Sequence, residues 1–552
     1  MMHDTERKAL GAYYTDAQIA DFLVWWAVRS SNDTVLDPSF GGGVFLRSAS
    51  KRLKALGGHP AQQVFGAEID GGVHTRIAEK LQDEFGVLPQ NLWQADFFGV
   101  APTTAPKVRA VIGNPPFIRY QRFTGPSRAV ALAAAAAQGV QLSRLSSSWA
   151  PFLVHATGFL QPGGRLAMVV PAEIAHAGYA RPVLDHLSRS FRVVTFLTFR
   201  KRLFPDLSED TLLLLAEGQG EQHQSVLWRD FEHAGDLADL VRHGNPLGAE
   251  ALDSEDFAAG HTKLVEQFIP PKARTLYREL QTASGVARLG DISRVGIGYV
   301  TGANAFFHPT DETVKQYEIP VRFLRRAARR GRDLVGLRYT DHDWHASQSL
   351  GDGGYLLWIQ PRDLLPEGLA RYIQQGEAAE VHHSYKCRIR SPWYSVPHVY
   401  QPDAFLTYMS GNAPRLVSNE AEAVAPNTLH IVQIKAGSDL SREALSTLWQ
   451  TSLTRLSTEI EGHSLGGGML KLEPSEAERV LIPLVGGMDH GLTEVGRKLD
   501  FLCRNGREAE ARAMADSEIL QRRLGLTRHD TELLQEAAEL LRERRSSRGL
   551  SA

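Results

Sequence analysis

The first 240 residues alternate short apolar runs with stretches of helical periodicity. The apolar runs fall at residues 35–37, 64–69, 108–113, 165–170, 193–197 and 212–215. Between two of them lies an alanine-rich stretch at 129–137, a strong helix former that we expect to begin after the turn residues 125–127. Such alternation of strand and helix is typical of a mostly parallel sheet covered by helices. The pattern therefore predicts an α/β fold for residues 1–240.

The pattern changes twice farther along the chain. A polar passage rich in glycine and histidine around 233–260 predicts a linker. Residues of about 265–485 combine short strands with many aromatic and turn residues, which predicts a mixed α+β domain. Two helical segments follow from about 488 to 546 and predict a terminal helical hairpin. We therefore expect three parts, at residues 1–240, 265–485 and 486–552.

Length and composition limit the class of protein. A chain of 552 residues is too long for one hydrophobic core, so two or more domains are expected. No apolar run approaches the roughly 20 residues that span a bilayer, and the amino terminus lacks the apolar core of a secretory signal. The two cysteines, Cys387 and Cys503, exclude a disulfide framework and a cysteine zinc site. We expect a cytoplasmic protein without a bound metal.

The strongest candidate for chemistry closes the apolar run at 108–113. It is the motif Asn114-Pro115-Pro116-Phe117. The Asn114 side-chain oxygen and the Pro115 carbonyl are two rigid acceptors, because the prolines fix φ and add no competing N–H. An exocyclic amine on a nucleobase is a poor nucleophile, since its lone pair is delocalised into the ring. Two acceptors that each take one N–H favour a pyramidal nitrogen that is able to attack, and Phe117 supplies a stacking face.

Three earlier strand ends carry residues that suit a nucleoside ligand. Asp37-Pro38 follows the first apolar run and leads into the glycine loop 41–43, where the absent Cβ atoms let the backbone approach a ligand. The loop has neither the dinucleotide glycine spacing nor a Walker lysine, so a phosphate-binding loop is not indicated. The next two strands lead into acids and an aromatic that suit ribose and adenine, namely Glu68, then Asp96 and Phe97.

Taken in order, these motifs resemble the N6-adenine DNA methyltransferases of bacterial restriction–modification systems, in the gamma or TaqI-like arrangement. That family has a tyrosine-containing segment before the glycine loop, and Gly11-Ala12-Tyr13-Tyr14-Thr15 matches it. The resemblance implies a Rossmann-like domain dependent on S-adenosylmethionine, then a target-recognition domain and a helical segment. The cofactor-binding residues that it implies are Tyr13, Tyr14, Thr15, Asp37, Pro38, Gly41, Gly43, Glu68, Asp96 and Phe97.

The same resemblance implies how the target is held. One adenine would be extruded from double-stranded DNA and methylated directly at N6. The catalytic residues would be Asn114, Pro115, Pro116 and Phe117. Phe117 stands where many relatives have tyrosine, and Phe204 matches the second aromatic that would stack on the base. A cognate restriction endonuclease acting on the same site is the implied partner.

Arginine clusters supply candidate contacts to DNA, although the net charge of the chain is −2. Arginines neutralise phosphates and release counterions. The candidates for these contacts are Arg119, Arg122, Arg325, Arg326, Arg329 and Arg330. For the run at 322–332, the alternative interpretation is a solvated helix face.

Other activities are excluded or stay open. A C5-cytosine methyltransferase needs a cysteine nucleophile after a proline, and neither Cys387 nor Cys503 follows one. N4-cytosine methylation of DNA and N-methylation of RNA or of a protein glutamine remain alternatives. A catalytically inactive DNA-binding module is a further alternative, against which the intact Asn-Pro-Pro-Phe motif and glycine loop argue.

Overall fold

The structure is a computed structural model that describes residues 15–175, 178–204, 210–222, 225–244, 246–252, 263–350, 354–484 and 490–547. The described chain divides into two compact units, and the boundary falls between Phe268 and Ile269. Each unit has its own hydrophobic clusters.

Within the described residues, the first unit is built on a nine-stranded sheet. The strands are β1 Val35–Asp37, β2 Val64–Glu68, β3 Leu92–Gln94, β4 Val108–Gly113, β5 Leu160–Pro171, β6 Phe191–Phe199, β7 Thr211–Gln219, β8 Ser225–Phe231 and β9 Glu250–Leu252. Their order across the sheet is β3-β2-β1-β4-β5-β7-β6-β8-β9. Strands β7 and β9 run antiparallel to the others. The prediction of an α/β fold with a mostly parallel sheet is confirmed.

Successive residues of a strand face opposite sides of a sheet, so both faces of this sheet are packed. On β4, Ala110 and Ile112 belong to one hydrophobic cluster and Val111 to another. This explains why the strands read as continuous apolar runs rather than as an alternation of apolar and polar residues. The helices of this unit are α1 Ala17–Ala27, α2 Val44–Leu56, Pro60–Gln63, α3 Gly71–Phe85, α4 Gly125–Ala137, α5 Trp149–Thr157, α6 Arg181–Ser190 and α7 Gly235–His243.

Local sequence signals set the ends of these helices. The Asp16 and Asp70 side chains accept hydrogen bonds from N–H groups in the first turns of α1 and α3, at 2.7 and 2.9 Å. Gly57 and Gly86 end α2 and α3 in the left-handed conformation that glycine adopts without strain. Helix α4 starts at Gly125, with Pro126 in its first turn, so it begins earlier than we expected.

The predicted linker around 233–260 is wrong where the structure describes it. Helix α7 and strand β9 occupy this passage, and β9 pairs with β8 at the edge of the sheet. Three apolar residues, Leu237, Leu240 and Leu252, are buried in the two cores. The polar and glycine-rich composition concealed a short amphipathic helix that packs against α1 and contributes Leu237 and Leu240 to the core.

The second unit, Ile269–Ser546, contains several small sheets. The strands are β10 Val286–Arg288, β11 Ser293–Ile297, β12 Leu324–Arg326, β13 Arg338–Tyr339, β14 Tyr355–Leu357, β15 Ala404–Leu406, β16 Met409–Ser410, β17 Leu416–Asn419, β18 His430–Ile434, β19 His463–Ser464, β20 Leu470–Lys471 and β21 Leu481–Pro483. Within the described residues of this unit, the largest sheet has the order β11-β18-β15-β17-β13, in which only the pair β13 and β17 is parallel. The predicted mixed α+β character is confirmed.

Helices of this second unit lie between its strands and after them. The longer ones are α8 Pro271–Thr282, α9 Asp341–Ser349, α10 Glu367–Ala378, α11 Arg442–Leu448, α12 Ser452–Glu461, α13 His490–Arg504, α14 Glu508–Ala515 and α15 Arg528–Ser547. The shorter ones are Leu289–Ile292, Asn304–Phe307, Asp311–Gln316, Tyr385–Arg388 and Pro474–Ala477. In neither unit does a described helix have the length and apolar composition that crossing a membrane requires.

The carboxyl-terminal segment differs from the predicted two-helix hairpin. Its described residues form three helices, α13, α14 and α15, and α14 continues into a π-helical turn, Asp516–Gln521. Gly506 and Gly525 adopt positive φ at the breaks between the helices. Arg545 of α15 forms a buried ion pair with Glu459, with 2.8 Å between Nη2 and Oε1. These helices thus pack into the second unit.

A buried ion pair in the first unit generates a stability prediction. Arg165 on β5 pairs with Asp33, which precedes β1, at 2.6 Å, and each side chain is 8% exposed. We expect Arg165→Met to lower the free energy of unfolding by about 3–5 kcal/mol, because it leaves the Asp33 carboxylate buried without its cationic partner.

Urea denaturation of the variant beside the unmodified protein measures this loss. Arg47→Ala is the control, since the Arg47–Glu84 pair is 47% and 40% exposed and its loss should cost less than about 1 kcal/mol. Equal, small losses in both variants would show that the buried pair contributes nothing beyond a surface pair.

Candidate active site

The strand order brings several of the predicted site residues together at the carboxyl ends of the strands of the large sheet. Strand β1 lies between β2 and β4, because the chain moves outward from β1 to β3 and then returns to the other side of β1. Open α/β sheets bind ligands at the carboxyl ends of strands where the direction of winding switches. Asp37, Glu68 and Asn114 lie at the ends of β1, β2 and β4. A Cβ on Gly113 would come within 3.0 Å of Asp37 Oδ1, so β1 and β4 approach closely here.

The glycine loop after β1 contains two residues in the left-handed region of backbone conformation. Gly41 and Gly43 have φ of +44° and +75°, and a Cβ on Gly43 would lie 2.6 Å from Cγ2 of Ile77 on α3. Glycine is therefore required at position 43 for both conformation and space. The Gly41 N–H donates to Glu68 Oε2 at 2.9 Å, and Glu68 Oε1 accepts the Asp70 N–H at 2.8 Å. The Glu68 carboxylate thus shapes the loop as well as ending β2.

Asp37 is a fully buried carboxyl group. Its Oδ1 accepts the Ser39 N–H at 3.1 Å, while its Oδ2 has no partner among the described residues. Burial, together with a smaller contribution from the nearby negative charge of Glu68, raises the pKa of Asp37 to about 8, although the hydrogen bond from the Ser39 N–H opposes the shift. The group is neutral over much of the physiological range, and one oxygen is available to a polar or cationic ligand. Pro38, the next residue, is also buried.

Asn114 presents an unused acceptor next to this carboxyl. Its Nδ2 donates to Thr15 Oγ1 at 3.2 Å, and its backbone carbonyl accepts the Ser39 hydroxyl at 3.3 Å. Its Oδ1 is buried and has no hydrogen-bond partner in the described part of the chain. The Pro115 carbonyl likewise accepts no hydrogen bond from the described residues. A planar amine with two N–H donors is the group that such a pair of acceptors can bind.

The two aromatic residues predicted to stack on a base differ in exposure. Phe117 is half-buried and packs against both hydrophobic clusters of the first unit. Phe204 is 9% exposed and belongs to one of these clusters. Residues 205–209, which follow Phe204, lie outside the described residues. The stacking role of Phe204 stays a prediction.

The predicted adenine-binding residues lie after β3. Asp96 is exposed and caps the turn Phe97–Gly99 by accepting the Phe98 N–H at 3.1 Å. Phe97 is 4% exposed, and its ring centroid lies 5.0 Å from that of Phe152. Phe98 is the less buried ring of the pair. The contact between Phe97 and adenine therefore stays a prediction. Because the Phe97 ring is almost fully buried, only one edge or face of it could contact a ligand.

Sequence reasoning gave no role to Ser39, which lies between Pro38 and the glycine loop. The structure shows that its hydroxyl donates to the Asn114 carbonyl at 3.3 Å. Its position directly after Asp37-Pro38 was the available signal. Tyr13 and Tyr14 lie outside the described residues.

The candidate DNA-binding arginines fall into two groups. Arg119 and Arg122 are exposed on a turn after Phe117. The interpretation of the 322–332 run as a helix face is wrong, because Leu324–Arg326 form strand β12. Arg325 and Arg326 are half-buried there, and Arg329 and Arg330 are half-buried after it.

Two of these half-buried guanidinium groups have partners within the second unit. Arg325 lies 4.5 Å from the centroid of the Trp358 ring. Arg326 lies over Trp344 at 4.9 Å and is paired with Asp341. These contacts give Arg325 and Arg326 a part in packing, and contact with DNA stays a prediction for all six arginines.

Comparison with family models divides the chain at nearly the same place as the fold. Residues 1–268 match the model described as N-6 DNA methylase. Residues 261–520 match the model described as the C-terminal domain of type II methyltransferase M.Eco57I. The two matches together run from residue 1 to residue 520.

Individual relatives are distant but similar over most of their length. Type II methyltransferase M.AccI of Acinetobacter calcoaceticus is 20% identical over 88% of this chain and 87% of its own. Type II methyltransferase M.XamI of Xanthomonas campestris pv. amaranthicola is 25% identical over 86% of this chain and 85% of its own. The type IIL restriction–modification enzyme MmeI, solved in complex with DNA, matches at TM-score 0.57 and 13% identity, over 98% of this chain and 80% of its own. That last match shows a shared fold.

The raised pKa of Asp37 generates a pH-dependent stability prediction for the protein without ligand. The carboxyl has an ordinary pKa of 3.8, and about 8 in the fold, so between these values the folded state binds more protons than the unfolded state. The contribution of Asp37 to the free energy of unfolding is fully present below the unfolded-state pKa of 3.8, and it is lost as the pH rises through the folded-state pKa of about 8. We expect stability to fall over this range, and to fall less in Asp37→Asn.

Urea midpoints measured across this pH range for both proteins test the difference. Asp96→Asn is the control, because Asp96 is exposed and asparagine also caps a turn. A parallel decline in all three proteins would contradict the assignment of a neutral, buried Asp37.

Proposed function

The chain belongs to the family of N6-adenine DNA methyltransferases, and we propose that it transfers a methyl group from S-adenosylmethionine to N6 of an adenine in double-stranded DNA. The observation that carries this proposal is the buried Oδ1 of Asn114, which has no partner among the described residues and is held at the end of β4 by the hydrogen bond from its Nδ2 to Thr15. An acceptor kept free in this way suits an amine with two N–H groups.

The residues at the sheet edge fit S-adenosylmethionine. Its ammonium and sulfonium groups are cationic, and Asp37 offers a buried oxygen without a partner among the described residues. The glycine loop has no Cβ atoms to obstruct a ligand, and Gly43 is too close to Ile77 for any side chain. Glu68 would hold the ribose, and Asp96 and Phe97 the adenine. Tyr13, Tyr14 and Thr15 would lie at the methionine end.

When bound, S-adenosylmethionine supplies a methyl group activated by attachment to a positively charged sulfur. Asn114 Oδ1 and the Pro115 carbonyl would each accept one N–H of the target amine, which favours the pyramidal nitrogen and directs its lone pair away from the acceptors. The nitrogen becomes positively charged as it gains the methyl group, and the same two acceptors stabilise that charge until a proton leaves. Phe117 would stack on the base, which must leave the helix for N6 to be reached.

The second unit would choose the sequence that is methylated. Its match to the C-terminal domain of M.Eco57I supports a target-recognition role for residues of about 265–485. The relatives M.AccI and M.XamI are named type II methyltransferases. We infer that this chain protects DNA in a restriction–modification system, with a cognate endonuclease acting on the same site.

One assay tests the substrate class. Tritiated methyl groups from S-adenosylmethionine should enter duplex DNA, and hydrolysis should release N6-methyladenine. Label in RNA or protein with none in DNA would contradict the proposal, whereas N4-methylcytosine would correct only the base.

Asn114→Ala should lower the rate of methyl transfer by about 10²–10³, the cost of removing one preorganised hydrogen-bonding group from an active site. The Kd for S-adenosylmethionine, measured by isothermal titration, should be nearly unchanged, because Asn114 acts on the amine. Glu68→Ala is the matched comparison and should weaken cofactor binding first. Near-normal turnover of Asn114→Ala on duplex DNA would refute its catalytic role.

Arg122→Ala should weaken binding to all duplexes similarly and reduce the salt dependence of log Kd by roughly one unit, since one phosphate contact is lost. Arg326→Ala should instead lower the melting temperature, because it removes the partner of Asp341 and the cation over Trp344. Fluorescence anisotropy at several salt concentrations, with thermal denaturation alongside, separates the two effects. An unchanged salt dependence in Arg122→Ala would show that Arg122, on the turn after Phe117, does not contact a DNA phosphate.

A further inference from the structure

Helix α5 is unusual in this chain because all of its residues are buried. It lies between β4 and β5 in sequence, and Ser148 stands immediately before its first residue with helical dihedral angles, φ −59° and ψ −31°. Ser148 and His155 are seven residues apart, which is about two helical turns. Their side chains therefore leave the helix on the same side.

Ser148 forms hydrogen bonds to the loop that carries the candidate stacking residue Phe117. Its hydroxyl donates to the Pro116 carbonyl at 2.5 Å and accepts the Ile118 N–H at 2.8 Å. Its own N–H donates to the Ile118 carbonyl at 3.0 Å. Three hydrogen bonds from one residue thus fix the backbone on both sides of Phe117. Ser148 is 1% exposed, so water does not compete for these bonds.

His155 makes the corresponding contact to the loop that carries Asp96 and Phe97. Its Nε2 lies 3.2 Å from the Phe97 carbonyl and 3.1 Å from the Val100 carbonyl. Because both carbonyls only accept, Nε2 carries the proton and donates to both. Nδ1 is buried without a partner among the described residues, and burial lowers the pKa of His155, so the ring is neutral. The imidazole also packs edge-on against the Phe97 ring, at 4.8 Å between centroids.

We propose that helix α5 is a brace in which Ser148 positions the Pro116–Ile118 loop and His155 positions the Asp96–Val100 loop. Neither residue is placed to touch the base or the cofactor, so both act as positioning residues. The functional part of this inference rests on the proposed methyltransferase activity. Each arm then has its own effect: Ser148 acts on transfer to the target amine, and His155 on binding of the cofactor adenine.

Ser146 provides a matched control for Ser148. It is also a serine, also 1% exposed, and only two residues away. Its hydroxyl has no hydrogen-bond partner among the described residues. Ser146→Ala and Ser148→Ala therefore remove the same atom from equally buried positions, and they differ in whether that atom holds the loop.

The first measurement needs no activity. Hydrogen exchange of the Ile118 amide, followed by mass spectrometry on peptides covering 114–123, should speed up at least about tenfold in Ser148→Ala, since one net hydrogen bond of about 1.4 kcal/mol corresponds to that factor. Ser146→Ala should leave it unchanged. If Ser148→Ala does not fold, Ser148→Cys keeps the volume with a weaker hydrogen bond and should show the same direction. Equal exchange in the serine variants and the unmodified protein would overturn the Ser148 arm.

Kinetics and binding separate positioning from general loss of structure. Ser148→Ala should lower kcat about tenfold with little change in the Kd for S-adenosylmethionine. His155→Leu should raise that Kd with a smaller effect on kcat, and His155→Gln, which keeps an N–H donor, should restore binding. Parallel losses in kcat and Kd for both arms would overturn the brace. Absence of DNA methylation by the unmodified protein, with the exchange difference intact, would refute the proposed function and leave the loop assignment standing.

Discussion

A hydrogen-bond acceptor that stays buried and unpaired is unfavourable by about 1–3 kcal/mol, and the candidate active site is arranged around one such atom, Asn114 Oδ1. The hydrogen bond from Asn114 Nδ2 to Thr15 Oγ1 fixes the orientation of the amide and so the position of Oδ1. Ser39 holds the carbonyl of the same residue. These two hydroxyl groups engage the Nδ2 and the carbonyl of Asn114, and Oδ1 is left without a partner among the described residues. The stability of the rest of the unit has to offset what this atom costs.

The order of strands converts distant sequence positions into neighbours. Asp37 and Asn114 are far apart along the chain, yet β1 and β4 are adjacent, and Gly113 leaves room for the Asp37 carboxyl. In a mostly parallel sheet the carboxyl ends of the strands lie on the same side. Residues that follow successive strands are therefore close together even when they are far apart in sequence. The buried ion pair between Arg165 and Asp33 ties β5 to the segment before β1, at the opposite ends of these strands from the candidate active site.

This geometry explains what could be predicted from the sequence. The apolar runs were continuous because their strands are buried on both faces, so the strands and the residues that end them were recognisable, including Glu68 and Asn114. Ser148 and His155 were not, because a serine and a histidine on an apolar helix carry no periodic or motif signal, and their role depends on loops that are distant in sequence. Helix α7 was missed for a related reason, since a few leucines within a polar passage suffice once a sheet is present to receive them.

The bonds between Glu68 and the glycine loop have a consequence for association. Both carboxylate oxygens already accept backbone N–H groups of Gly41 and Asp70, so the loop takes its shape during folding rather than on contact with a ligand. The conformational entropy of ordering it is lost once, when the chain folds, and does not diminish affinity later. We therefore expect that rearrangement of the glycine loop does not limit the rate at which a nucleoside binds.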